Sequence, residues 1–225
     1  MRKLMLWGTA LAMATVSTAS VASVVVVKSL GPSAKSYPPG KTLPESATIS
    51  LQGGDVLTVI GPSSAKVLRG PGNFEAKQVA LASAAGQRGR FGALRAAEVA
   101  KNPSIWDVNA SDGGKVCVAN ASKLQLWSDD SESSTSVQIR SSDGQAQSLT
   151  WAAGKALAPW PAGMPIKDGS EYSLEWRDGG DVSKLDIVII NSPPADLVGA
   201  AQVLLEHGCE KQLDLLVEGA SKVKG

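Results

Sequence analysis

The chain holds one imidazole, His207, and two thiols, Cys117 and Cys209, in 225 residues. A Ser-His-Asp relay or a histidine-rich zinc site needs its imidazole in company. His207 instead stands one residue before Gly208, at the end of an apolar periodic run, where a cation meets the exposed carbonyls of a helix terminus. It reads as a helix-end residue. No serine lies in a G-x-S-x-G elbow, and the chain has no P-loop, no G-x-G-x-x-G and no Cys-x-x-Cys pair. Carboxylate hydrolysis would need two acids facing each other across a cleft. Asp129, Asp130 and Glu132 share one turn and Asp178 and Asp181 another, the pattern of solvated loop tips, and neither turn has the ligand count of a calcium loop. These residues point to no catalytic group, no cofactor and no metal.

The cysteines and tryptophans carry more. In an oxidising compartment an even pair of cysteines forms a disulfide. A Cys117–Cys209 bridge would close a loop of about 92 residues, worth at most roughly 4–5 kcal/mol of chain entropy. The competing reading is two separate buried thiols. Trp151 and Trp176 alternate with apolar neighbours and belong to a core, while Trp127 faces away from Leu124 and Leu126. Trp106 and Trp160 lie in connecting segments, the latter within the stiff stretch Ala158-Pro159-Trp160-Pro161. A tryptophan so placed stacks on a sugar or peptide, or lids the core. Trp106 and Trp160 are therefore the candidate ligand or partner surface.

The chain begins with an address. Arg2 and Lys3 precede an uncharged stretch, and Ser17-Thr18-Ala19-Ser20-Val21-Ala22 offers small-residue cleavage sites, so residues 1–22 read as a secretory signal peptide. The alternative is a retained anchor, since Leu4 to Val27 is uncharged throughout. No cysteine lies near the site to accept a lipid. The formal charge of +1 falls to −1 once the two basic residues are removed. Neither value would draw in nucleic acid. Periplasm or secretion is the expected location, with no stable membrane span after cleavage.

Positioning these residues falls to β structure. Residues 23–78 read as a β-unit, with Val56 and Ile60 on one face of a strand and Leu57 and Val59 on the other. Residues 79–102 read as a connector with a short helix near Phe91–Ala100, weakened by its glycines and bearing Arg88, Arg90 and Arg95. Across 103–191 six strands are expected between Asp/Gly turns: Lys115–Ala119, Lys123–Ser128, Thr135–Ser141, Gln145–Trp151, Glu171–Trp176 and Lys184–Ile190. They suggest a β-sandwich whose inner face holds Leu124, Leu126, Val137, Ile139, Leu149, Trp151, Tyr172, Leu174 and Trp176. Residues 192–220 carry two i, i+4, i+7, i+8 runs, an αα-hairpin with Ser192 able to cap, Cys209 on the apolar face of its second helix and Gly219 ending it. Cys117 points opposite Val116 and Val118, so a bridge would staple the hairpin to the outer face of the sheet. The fold class is mainly β, α+β overall.

The pattern Leu51-x-x-Gly54-Asp55-x-Leu57-x-Val59, followed by Val67-Leu68-x-Gly70-Pro71-Gly72-x-Phe74, resembles the FecR-type periplasmic β-domain over about 45 residues. The whole chain is also similar to exported alphaproteobacterial proteins that carry this β-unit at the front. The resemblance implies a domain that senses or relays signals in the periplasm. Taken together, the expectation is a non-catalytic exported protein that binds or presents an envelope protein. The alternatives are a carbohydrate- or peptidoglycan-binding module and a carboxylate-based hydrolase.

Overall fold

The computed structural model describes residues 23–80, 104–128, 132–177 and 179–221. The expected signal peptide, the connector helix near Phe91–Ala100, and Asp129, Asp130 and Asp178 lie outside them.

The valine run near the start becomes the first half of β1 (Ser23–Leu30), and Val24 to Val27 are all buried because both faces of the strand are covered there. Val24 and Val26 point into one buried cluster, Val25 and Val27 into another. β1 sits inside an antiparallel sheet with β2 (Thr42–Pro44), β4 (Val56–Ile60) and β5 (Ala65–Arg69), in the order β2-β1-β4-β5. β3 (Thr48–Leu51) pairs with β6 (Gly72–Glu75), and α1 (Ala76–Ala80) follows at once. Leu57 and Val59 join Val24, Val26, Ile49, Leu51 and Val79 in the first core, while Ile60 faces the other way, as alternation requires. α1 belongs to this core through Ala76, Val79 and Ala80. Gly70 makes the return from β5 workable: a Cβ there would collide with the Gln52 carbonyl.

The second β region has two sheets. β7 (Val108–Asn109), β9 (Gln125–Trp127) and β12 (Leu157–Pro159) form one in the order β12-β9-β7. β8 (Gly114–Val118), β10 (Thr135–Ser141), β11 (Ala146–Trp151), β13 (Glu171–Trp176) and β14 (Ser183–Ile189) form the other, ordered β11-β10-β13-β14-β8. Its pairings are antiparallel except β14–β8, which is parallel. All nine inner-face residues named from the alternation pack in the core between the sheets, Trp176 partly exposed and the rest buried. Trp151 and Trp176 stack across β10 with ring centroids 5.6 Å apart, and the Trp151 indole N–H reaches the Leu126 carbonyl on the opposite sheet at 3.2 Å. Four strands, β2, β6, β7 and β12, are not announced by the sequence pattern. Each is four residues or fewer, too short for alternation to register.

Two helices close the chain, α2 (Leu197–His207) and α3 (Glu210–Ser221). Asp196, not Ser192, caps α2, accepting the Gly199 N–H at 2.9 Å. Gly208 ends it with φ 72°, a left-handed conformation that suits glycine, and the Cys209 N–H bonds back to the Leu204 carbonyl at 2.9 Å. α3 runs through Gly219, because Ala220 beyond it is buried in the same core as Leu213 and Leu216. This third core is shared. Val25, Val27, Ile60 and Ala65 come from the first sheet, Cys117 and Ile190 from the second region, and Ala200, Ala201, Leu204, Leu213 and Leu216 from the helices. The hairpin is thus the joint between the two β regions, and Gln202 adds a hydrogen bond to Thr42 at 3.2 Å.

Candidate functional site

Cys117 and Cys209 are joined by a disulfide across 92 positions, with Cα atoms 5.9 Å apart and both residues fully buried. Cys117 lies on the face of β8 opposite Val116 and Val118, which pack in the sandwich core. Cys209 lies in the two-residue junction between the helices rather than on α3 itself; its carbonyl accepts the Leu213 N–H at 3.0 Å. The bond therefore fixes the turn of the hairpin to an edge strand.

Gln212 completes the seam. Its side-chain oxygen accepts the Cys117 N–H at 2.7 Å, and its amide nitrogen donates to the Cys117 carbonyl at 2.8 Å and to the Ile105 carbonyl at 2.6 Å. One side chain thus imitates the peptide group of a neighbouring strand and satisfies an edge that would otherwise be buried unpaired. Sequence reading passed over Gln212, because a helical glutamine is ordinarily a surface residue. The signal was its position: it is one residue before Leu213, on the edge of the apolar stripe, three residues after Cys209.

The two flagged tryptophans do not come together. Trp106 is half-buried against the hairpin core, while Trp160 is half-buried against the sandwich core. Trp160 is held firmly. Its indole N–H donates to the Met164 carbonyl at 2.6 Å, and its ring meets Tyr172 edge-on with centroids 5.0 Å apart. Tyr172 is in turn anchored by its hydroxyl to the Pro165 carbonyl at 2.8 Å. Trp160 lines an open groove of about 610 Å³ beside the chain leading into β9, with Leu124, Pro159, Pro161, Pro165 and Ile166. Lys123 is the one charged residue along it. The three prolines restrict the backbone along this wall of the groove.

The carboxylates divide by environment. Asp55 is the one buried acid among the described residues, 2 % exposed. Burial pushes its carboxyl up, but hydrogen bonds from the Ser33 hydroxyl and N–H and from the Gln52 N–H outweigh it and hold it below the usual carboxylate range. It ties the 3-10 turn Pro32–Lys35 to the turn before β4 and has no second acid beside it. Asp143, at the β10–β11 turn, is also held low, first by the Ser141 hydroxyl and then by the Gln145 N–H. Both are turn fasteners. Among the described residues no group of three or more His, Cys, Asp or Glu could hold a metal ion. His207 occupies the last turn of α2.

Among the described residues no helix is long and apolar enough to cross a membrane. The chain matches no family model, no curated protein and no solved structure.

Proposed function

We propose that this chain is a non-catalytic exported protein of the cell envelope, periplasmic or released, that binds or presents a partner protein. The Trp160 groove carries the reading. It is open and lined mainly by apolar side chains, three of them prolines beside Trp160, a surface that suits an extended peptide segment with apolar or proline residues. The FecR-like character of the first unit belongs to the same proposal and would make the partner an envelope signalling protein. What supports that part is the fastening of the Gly54-Asp55 turn by the Asp55 carboxylate, which makes the motif a rigid structural unit.

A glycan is the second reading, favoured by Trp160 itself. Against it, the indole N–H is already spent on Met164, and no carboxylate lines the groove to bind sugar hydroxyls. A hydrolase would need paired acids, and none borders this groove. The test is a displayed peptide library and a glycan array, each probed with the oxidised full chain and with Trp160→Ala. Peptide enrichment that disappears in Trp160→Ala supports the proposal. Saccharide binding without peptide enrichment replaces it with the second reading.

A further inference from the structure

The edges of the sheets are protected unequally. β2 and β12 are three residues long and each ends in proline, Pro44 and Pro159. β5 carries Lys66 and Arg69. On β3 the Ser50 N–H donates to the Tyr37 hydroxyl at 2.9 Å. β8 is covered by Gln212. These are the usual devices against strand-to-strand association. β11 has none of them. Its six residues, Ala146-Gln147-Ser148-Leu149-Thr150-Trp151, include no charge and no proline. Residues 146–150 pair inward with β10, and among the described residues their backbones make no hydrogen bond to any other element. Ala146, Gln147, Ser148 and Thr150 are exposed.

We infer that β11 is a pairing edge for a second copy of this chain, two β11 strands meeting antiparallel about a two-fold axis so that the five-stranded sheets become one. Opposed residues in an antiparallel pair share a face, so the axis must pass through a residue rather than between two. Placed at Leu149, it sets Ser148 against Thr150 of the second copy on the solvent face, a favourable hydroxyl pair. Within one chain Thr150 already makes such a contact, with Ser136 at 2.9 Å. The same axis sets the Asp143 turn against the Lys155 turn of the other copy, opposite charges on both flanks. A two-fold brings each strand against its own sequence, and an uncharged strand with complementary flanks is what that symmetry requires. A single strand pair buries less than a standard stable interface, so the dimer is weak and depends on concentration.

The test is sedimentation equilibrium of the oxidised full chain over a concentration series, with two double variants at the exposed positions. Ser148→Lys with Thr150→Lys places lysine against lysine across the axis and should leave a monomer throughout. Ser148→Lys with Thr150→Glu places opposite charges there and should restore the dimer. Circular dichroism establishes that each variant is folded. As an independent readout, nitroxides on Ser148→Cys should couple between molecules in concentrated samples, since the native cysteines are occupied by their own disulfide. A wild-type chain that stays monomeric to millimolar concentration would overturn the inference. So would a lysine double variant that dimerises as the wild type does, or labels at 148 that show no intermolecular coupling in the dimer.

Discussion

At one edge of the five-stranded sheet, the peptide groups of Cys117 meet the Gln212 carboxamide, and the strand is bolted to the hairpin by a disulfide. At the other edge, residues 146–150 of β11 bond among the described residues only inward, to β10, and all of them but Leu149 are exposed. Both strands are of similar length and belong to one sheet. The difference lies in what each edge is next to. β8 is roofed by a core shared among three parts of the chain, so every polar group there must find a protein partner. The outer edge of β11 is wet, so water satisfies it without cost. Burial demanded a specific solution at one edge and left the other uncommitted.

The comparison can be broken most forcefully at the disulfide. Replacing Cys117 and Cys209 together by alanine should cost about 2–5 kcal/mol in urea unfolding. It should also raise amide exchange across β8 and α3 while β10 and β11 keep their protection. Uniform loss of protection across the sheet would mean the edges are not energetically distinct. Gln212→Ala comes next, at about 2–3 kcal/mol, because it leaves the Cys117 N–H and the Cys117 and Ile105 carbonyls buried without partners. The Cys117 amide should then exchange faster, and an unchanged rate would show that the mimicry contributes nothing. Trp160→Ala should cost about 1–3 kcal/mol, below the range for a fully buried aromatic, since the residue is only partly buried. Its unfolding midpoint should move while both edges keep their wild-type exchange.

The smallest effect serves as a control from the first unit. The Asp55 carboxyl is held below its unfolded value, so its contribution is complete above the unfolded pKa, near 3.8. It is lost as pH falls through the folded pKa. Thermal melts of the wild type should therefore lose stability below about pH 4, where Asp55→Asn should be flatter. An identical acid slope in both proteins would remove Asp55 from that role.

Much of this architecture was legible because alternation is local. Val116 and Val118 point one way and Cys117 the other, whatever lies beyond, so the facing of the disulfide strand could be read from three residues. The same rule placed all nine inner-face residues of the sandwich and divided Leu57 from Ile60. What could not be read were relations between distant segments. Gln212 is ordinary until β8 lies beneath it. Asp196 outcompeted Ser192 as a cap because Pro193 and Pro194 delay the helix, and Cys209 moved off α3 because Gly208 turns the chain just before it. β6, β7 and β12 exist through their partners rather than through any pattern of their own. Of the candidate site, the two cysteines were visible as a pair. The groove was visible only as Trp160 between prolines, its other wall arriving from Leu124.

The parallel pairing of β8 with β14 sets a timetable. β8 precedes β14, its one partner among the described strands, by about 70 residues in the chain, and the helices that roof it come later still. Until then Cys117 is an unpaired thiol on an unpaired strand, and the two β regions have no joint between them. Contacts of such long sequence separation form slowly, because chain closure must come before they reward it. With no third cysteine in the chain, waiting carries no risk of a wrong internal bond. The joint is made by the hairpin that follows β14 in sequence, so the two β regions are fixed to each other only once that hairpin has packed against both.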